Sequence, residues 1–135
     1  MRKSIIIAAS IIIIVLAVAG WKIVFKPAAI SVASQKADIS IDAATLLHDF
    51  ETNEKAANAK YLDKVILVTG TVEYIKTDSA GFTVYLTEDG VSGVLCSFDR
   101  NAVDSKIFRK GEKASVKGIC SGYLMDVVLN KCSSE

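Results

Sequence analysis

Cys96, Cys120 and Cys132 are the residues of this 135-residue chain best equipped for chemistry, and their spacing limits what they can do. Intervals of 24 and 12 residues contain no close pair of the kind a zinc site needs, so no metal is expected, and no motif points to a cofactor. Gly118-Ile119-Cys120-Ser121-Gly122 has the outline of a nucleophile elbow with cysteine in place of serine. That motif works at a strand-to-helix turn, whereas here the residues on both sides read as strand. His48 is the single histidine and would have to act as base from a distant helix. It falls between the apolar positions of that helix and reads as solvated. The acidic residues are scattered, with no spacing that singles out a general acid–base pair. No Walker loop, G-x-G-x-x-G or H-E-x-x-H occurs. The chain reads as a protein that is not an enzyme, with no catalytic residues to assign.

The cysteines retain a structural use. Cys120 and Cys132 flank a turn near Leu124 to Asp126. A hairpin centred on Asp126 would set them opposite each other at a separation a disulfide bridges, with Cys96 left as a buried apolar residue. Three buried free thiols are the alternative.

Two populations of residues make up the composition, which is 51% hydrophobic. Ile5 to Ala19 is apolar except for Ser10, and apolar character resumes at Trp21 and Ile23 to Phe25. As a helix, residues 5 to 25 would span about 31 Å, close to the thickness of a hydrocarbon core. Arg2 and Lys3 ahead of this run predict a cytoplasmic N-terminus and a domain beyond the membrane. Residues 1–26 are therefore expected to be a transmembrane signal anchor of the cytoplasmic membrane. The alternative is cleavage near Ala19, at Ala17-Val18-Ala19, giving a secreted or periplasmic protein. If the domain lies outside, disulfides persist there. The formal charge of +1 hides an asymmetry: after Pro27 there are twelve Lys/Arg against fifteen Asp/Glu. A domain at net −3 is the wrong sign for a general polyanion binder, although a local basic patch remains open to it.

Residues 27–41 are short, small-residue-rich and weakly patterned, and read as a linker. Asp42 is a good N-cap for a helix over Ala43 to Ala59, with Leu46, Leu47, Phe50 and Ala57 at helical spacing. From Lys64 the period changes to two. Strands are expected over Val65–Ile75, Phe82–Glu88, Val91–Phe98, Ala114–Tyr123 and Asp126–Cys132. Gly70 and Gly118 sit inside the two longest, where a glycine marks a bulge or bend. Asp99 to Lys110 breaks the pattern and holds a short helix or turn. This order predicts a mainly β fold: a five-stranded Greek-key barrel like the OB-fold, with one helix packed on it, over residues 42–135. A six-strand sandwich is the alternative.

The stretches NEKAANAKYLDKVILVTGTVEYI at 53–75, GVLCSFD at 93–99 and KGEKASVKGICSGYLMDVVLNKCS at 110–133 resemble the tRNA-anti-like family of bacterial OB-fold proteins. The resemblance implies the OB-fold and an N-terminal membrane segment, which many members carry. The family is named for its likeness to the anticodon-binding domain of synthetases and transfers no catalytic motif.

OB-folds bind ligands on the face of their second and third strands. The outward residues there are Thr83, Tyr85, Thr87, Leu95 and Ser97, and Tyr85 could stack on a sugar, a base or a peptide. The favoured function is a membrane-tethered, non-catalytic module of the cell envelope that recognises a protein, peptide or glycan. A single-stranded nucleic-acid binder is the second reading, stacking through Tyr85, Phe82 or Tyr123. Its backbone contacts would come from Arg100, Lys106, Arg109, Lys110 and Lys113. A structural or assembly component of an envelope complex is the third.

Overall fold

The structure is a computed structural model that describes residues 31–135. The expected membrane helix at 1–26 lies outside the described residues. Among the described residues, no helix is long and apolar enough to cross a membrane.

Five strands close a barrel: β2 (Val65–Thr77), β3 (Gly81–Thr87), β4 (Gly93–Asp99), β5 (Lys113–Tyr123) and β6 (Val127–Ser134). β2 pairs antiparallel with β3 and with β5, β3 with β4, and β5 with β6, while β4 and β6 run parallel. Alternation drives the closure. Phe82, Val84 and Leu86 on β3 and Val94, Cys96 and Phe98 on β4 all turn inward and are buried, as period two requires. The ladder of β2 shifts register between Val72 and Tyr74, just after Gly70. Gly70 itself serves close approach: a Cβ there would stand 3.0 Å from that of Ala43 and 3.2 Å from that of Leu86.

A sixth strand, β1 (Ile39–Asp42), lies parallel to the first half of β2. Its residues look like linker in the sequence, because four residues are too few to show a period. The domain in fact begins by Ser31. Val32 is buried, the Asp38 amide donates to the Val65 carbonyl, and the Val65 amide donates to the Asp38 carboxylate. Lys117, a buried lysine, holds this strap by donating to the Ala33 carbonyl and pairing with Glu135.

The expected single helix is two, α1 (Ala43–Thr52) and α2 (Glu54–Tyr61). Asn53 divides them, since its side chain accepts from the Ala56 amide and so caps a second helix. Asp42 caps the first through the Thr45 amide at 2.9 Å. α1 presses Leu46, Leu47 and Phe50 onto one end of the barrel, where Phe50 stacks on Tyr123 at 5.5 Å. At the other end, the insert between β4 and β5 contributes Phe108, packed on Phe82 and Phe98.

The Cys120–Cys132 disulfide is not formed, and the register explains why. The β5–β6 turn pairs Tyr123 with Val127, so the hairpin is centred on Met125 rather than Asp126. A further one-residue register shift between Cys120 and Gly122 sets Cys120 opposite Leu129, and Cys132 lies beside Gly118. All three thiols are free and buried.

Candidate functional site

The outer surface of β2, β3, β4 and β6 carries two rows of side chains set by register. One runs Tyr74, Tyr85, Leu95, Val128, and the next begins Lys76, Thr83, Ser97. Tyr74 is 44% exposed, and its ring lies parallel to that of Tyr85, 4.8 Å between centroids and 11° apart. Such pairs contribute about 0.5–1.5 kcal/mol beyond area burial. Tyr85 is only 7% exposed, so it supports the exposed ring rather than offering its own. Its hydroxyl donates to Asp126 Oδ1 at 2.7 Å, and the same oxygen accepts from the Gly93 amide at 3.0 Å. Burial, followed by the Asp126 carboxylate, pushes the Tyr85 phenol far above its ordinary pKa, which keeps it a donor. The result is an aromatic platform whose lower ring is fixed to the turn before β6.

A cleft of about 400 Å³ continues from this face between the β2–β3 turn and the end of β6. Thr83 and Ser97 line it, with Asn130, Lys131, Asp78 and Asp99 at its sides. It offers hydroxyl, amide and mixed charge, which suits hydrogen-bonded recognition more than bond cleavage.

Of the residues singled out in the sequence, Thr83, Leu95 and Ser97 are half-buried on this face. Thr87 is buried and used up locally: its hydroxyl donates to the Ser92 carbonyl and accepts from the Gly90 amide, pinning the β3–β4 loop. Phe82 lies in the core, and Tyr123 is half-buried against Phe50. Tyr74 does not stand out as a surface residue in the sequence. The alternation of VEYIKT does place Tyr74 with Lys76, but the register shift at Glu73 decides that this pair faces Tyr85 and Thr83.

The five cations do not gather into one patch. The Arg100 guanidinium donates to the Ser79 carbonyl at the β2–β3 turn, whereas Lys113 is paired with Thr71. Thr71 and Thr77 are separated by about 20 Å of strand. Lys110 is neutralised by Glu73 at 3.2 Å, and Lys106 and Arg109 are exposed on the insert. His48 is exposed on α1, with its ring nitrogen 3.4 Å from the Thr52 hydroxyl. Gly118 to Gly122 lie wholly within β5, so the elbow-like motif has no helix to open.

A closed Greek-key barrel with its side chains so arrayed defines an OB-fold protein. The chain belongs to the tRNA_anti-like family, whose model matches residues 1–134. No curated protein is similar to it in sequence. Among solved structures it is similar in fold to a Klebsiella pneumoniae protein described as a "putative nucleic acid-binding lipoprotein", with 21% identity and a TM-score of 0.60. That match covers 82% of this chain and 99% of the other.

Proposed function

We propose that this chain is a non-catalytic binding module whose ligand, a protein, peptide or glycan, lies across Tyr74 and the adjoining cleft. The observation that carries this reading is the exposed Tyr74 ring stacked on a Tyr85 that Asp126 holds in place. An aromatic face fixed before binding loses little entropy on contact. Thr83, Ser97 and Asn130 supply hydroxyl and amide partners beside it, and the domain's net negative charge disfavours polyanions. The module works at the outer face of the cytoplasmic membrane, tethered by residues 1–26, or in the envelope after cleavage near Ala19. Arg2 and Lys3 ahead of the apolar run support that placement, as does the description of the Klebsiella neighbour as a lipoprotein.

A second reading, single-stranded nucleic acid, is favoured by the same ring with Lys76, Arg100 and Lys131 near the β2–β3 turn. It is favoured too by the neighbour's description. The full chain and Tyr74→Ala, applied to glycan and peptide arrays and to a labelled single-stranded oligonucleotide, separate the two. Array signal lost in Tyr74→Ala, with no salt-sensitive oligonucleotide binding, is expected. Oligonucleotide binding that weakens steeply with salt and with Arg100→Ala would establish the second reading instead.

A further inference from the structure

The β3–β4 loop and the β5–β6 turn stand side by side at one end of the barrel. Gly93, where the loop enters β4, donates its amide to Asp126 Oδ1 at 3.0 Å, and Val94 and Val127 follow as a register pair. On these two connections lie the three most exposed large hydrophobic side chains among the described residues, Val91, Leu124 and Met125, between 80% and 86% exposed. Both connections are held in place. The Thr87 hydroxyl accepts from the Gly90 amide, Asp89 Oδ1 accepts from the Val91 amide at 3.0 Å, and the Leu124 amide donates to the Asp126 carbonyl at 3.1 Å. Met125 holds φ 111°, a backbone angle that favours glycine, yet a long apolar side chain stands there. Val91 lies between Asp89 and Ser92, which both line a cleft of about 230 Å³ against α1. Glu51 and Glu88 line it too, beside His48, and no lysine or arginine does. Residues 88–92 and 124–126 contain neither cation.

We propose that this end of the barrel docks a protein segment presenting an apolar side chain flanked by lysine or arginine. Val91, Leu124 and Met125 cover the apolar side chain, and the carboxylates of the cleft receive the cation. Charge selects this occupant. Anionic lipid headgroups would meet Glu51, Glu88 and Asp89 with the same sign, as would a nucleic-acid backbone. Two copies joined through this end would set the same carboxylates against each other. The surface is separate from the cleft beside Tyr74, because β3 leaves that cleft at Gly81 and reaches this loop only after Thr87. The inference therefore does not rest on the Tyr74 reading.

The test pans a random peptide library displayed on phage against the full chain in nanodiscs of zwitterionic lipid, with empty nanodiscs as the counter-selection. Enriched peptides should carry leucine, isoleucine or phenylalanine flanked by lysine or arginine. Their synthetic versions should bind Leu124→Ser/Met125→Ser about tenfold more weakly than wild type, and Glu51→Lys/Glu88→Lys about as weakly. All four substituted residues are exposed, so both variants should unfold at the wild-type temperature. Tyr74→Ala should bind these peptides as wild type does, which keeps failure here distinct from failure of the Tyr74 reading. No enrichment, enriched peptides without lysine or arginine, or undiminished binding by Leu124→Ser/Met125→Ser would overturn the proposal. Self-association lost in that variant would assign the patch to a second copy instead. Quenching of a fluorophore on Leu124→Cys by brominated phosphatidylglycerol vesicles would assign it to lipid, and either result overturns the proposal as well.

Discussion

The Tyr85 hydroxyl donates to Asp126 Oδ1 at 2.7 Å, across 41 residues of sequence, and ties the middle of β3 to the turn that opens β6. Because Gly93 shares that oxygen, one carboxylate fixes the exit of the β3–β4 loop, the start of β6 and the buried ring under Tyr74. A side chain of the turn thereby organises the face on which the proposed ligand lies.

Replacing Asp126 with Ala leaves the Tyr85 hydroxyl and the Gly93 amide without their acceptor. The expected cost is about 1–3 kcal/mol, read as a lower urea midpoint at unchanged slope. Tyr85→Phe removes the donor alone and should cost about 1 kcal/mol. The double variant should fall short of the sum, since both changes delete one interaction. Strict additivity would mean the bond is not made in solution.

Gly118→Ala tests close packing at the β5–β6 pair. The added Cβ meets Cys132 Sγ at 2.6 Å, Leu129 Cβ at 3.0 Å and the Asn130 carbonyl oxygen at 3.3 Å. Destabilisation of about 1–3 kcal/mol is expected from such overpacking. Adding Cys132→Ala should recover part of it in thermal unfolding, because the nearest atom is then gone. No recovery would place the strain on the backbone of β6.

Asp49 gives the fold a pH dependence at the acid end. The Tyr61 hydroxyl and then the Lys60 ammonium donate to it, holding its carboxyl below the ordinary carboxylate value of 3.8. A folded pKa below the unfolded one means the stabilisation is complete above that value and is lost as pH falls through the lowered one. Melting temperatures from pH 7 to pH 2 should show Asp49→Asn less stable than wild type at neutral pH and the two converging at the acid end. Parallel curves would contradict this.

Much of the barrel is legible in the sequence because one face of each strand is buried and alternation reports it. Val84, Leu86, Val94 and Cys96 announce themselves that way. β1 is silent for the opposite reason, as Ile39 and Ile41 are half-buried and the strand ends before a period develops. The helix break is written only in Asn53, a residue equally at home on an exposed helix face. The site was half legible. Thr83, Tyr85, Leu95 and Ser97 are on the expected face, but which tyrosine is exposed depends on a one-residue shift at Glu73 that no side-chain pattern encodes. The register of the cysteines turns on the same kind of detail, a turn centred one residue earlier than the acidic residue suggests and a shift between Cys120 and Gly122.

The central claim, that Tyr74 is the contact surface, is tested most directly by placing a photoreactive phenylalanine analogue at position 74 of the full chain in cells. Position 55, where Lys55 is exposed on α2, serves as the control. Irradiation should give a discrete covalent adduct from position 74 and none from position 55, with the adduct sensitive to protease or glycosidase. No adduct from position 74, or the same adducts from both positions, would contradict the account.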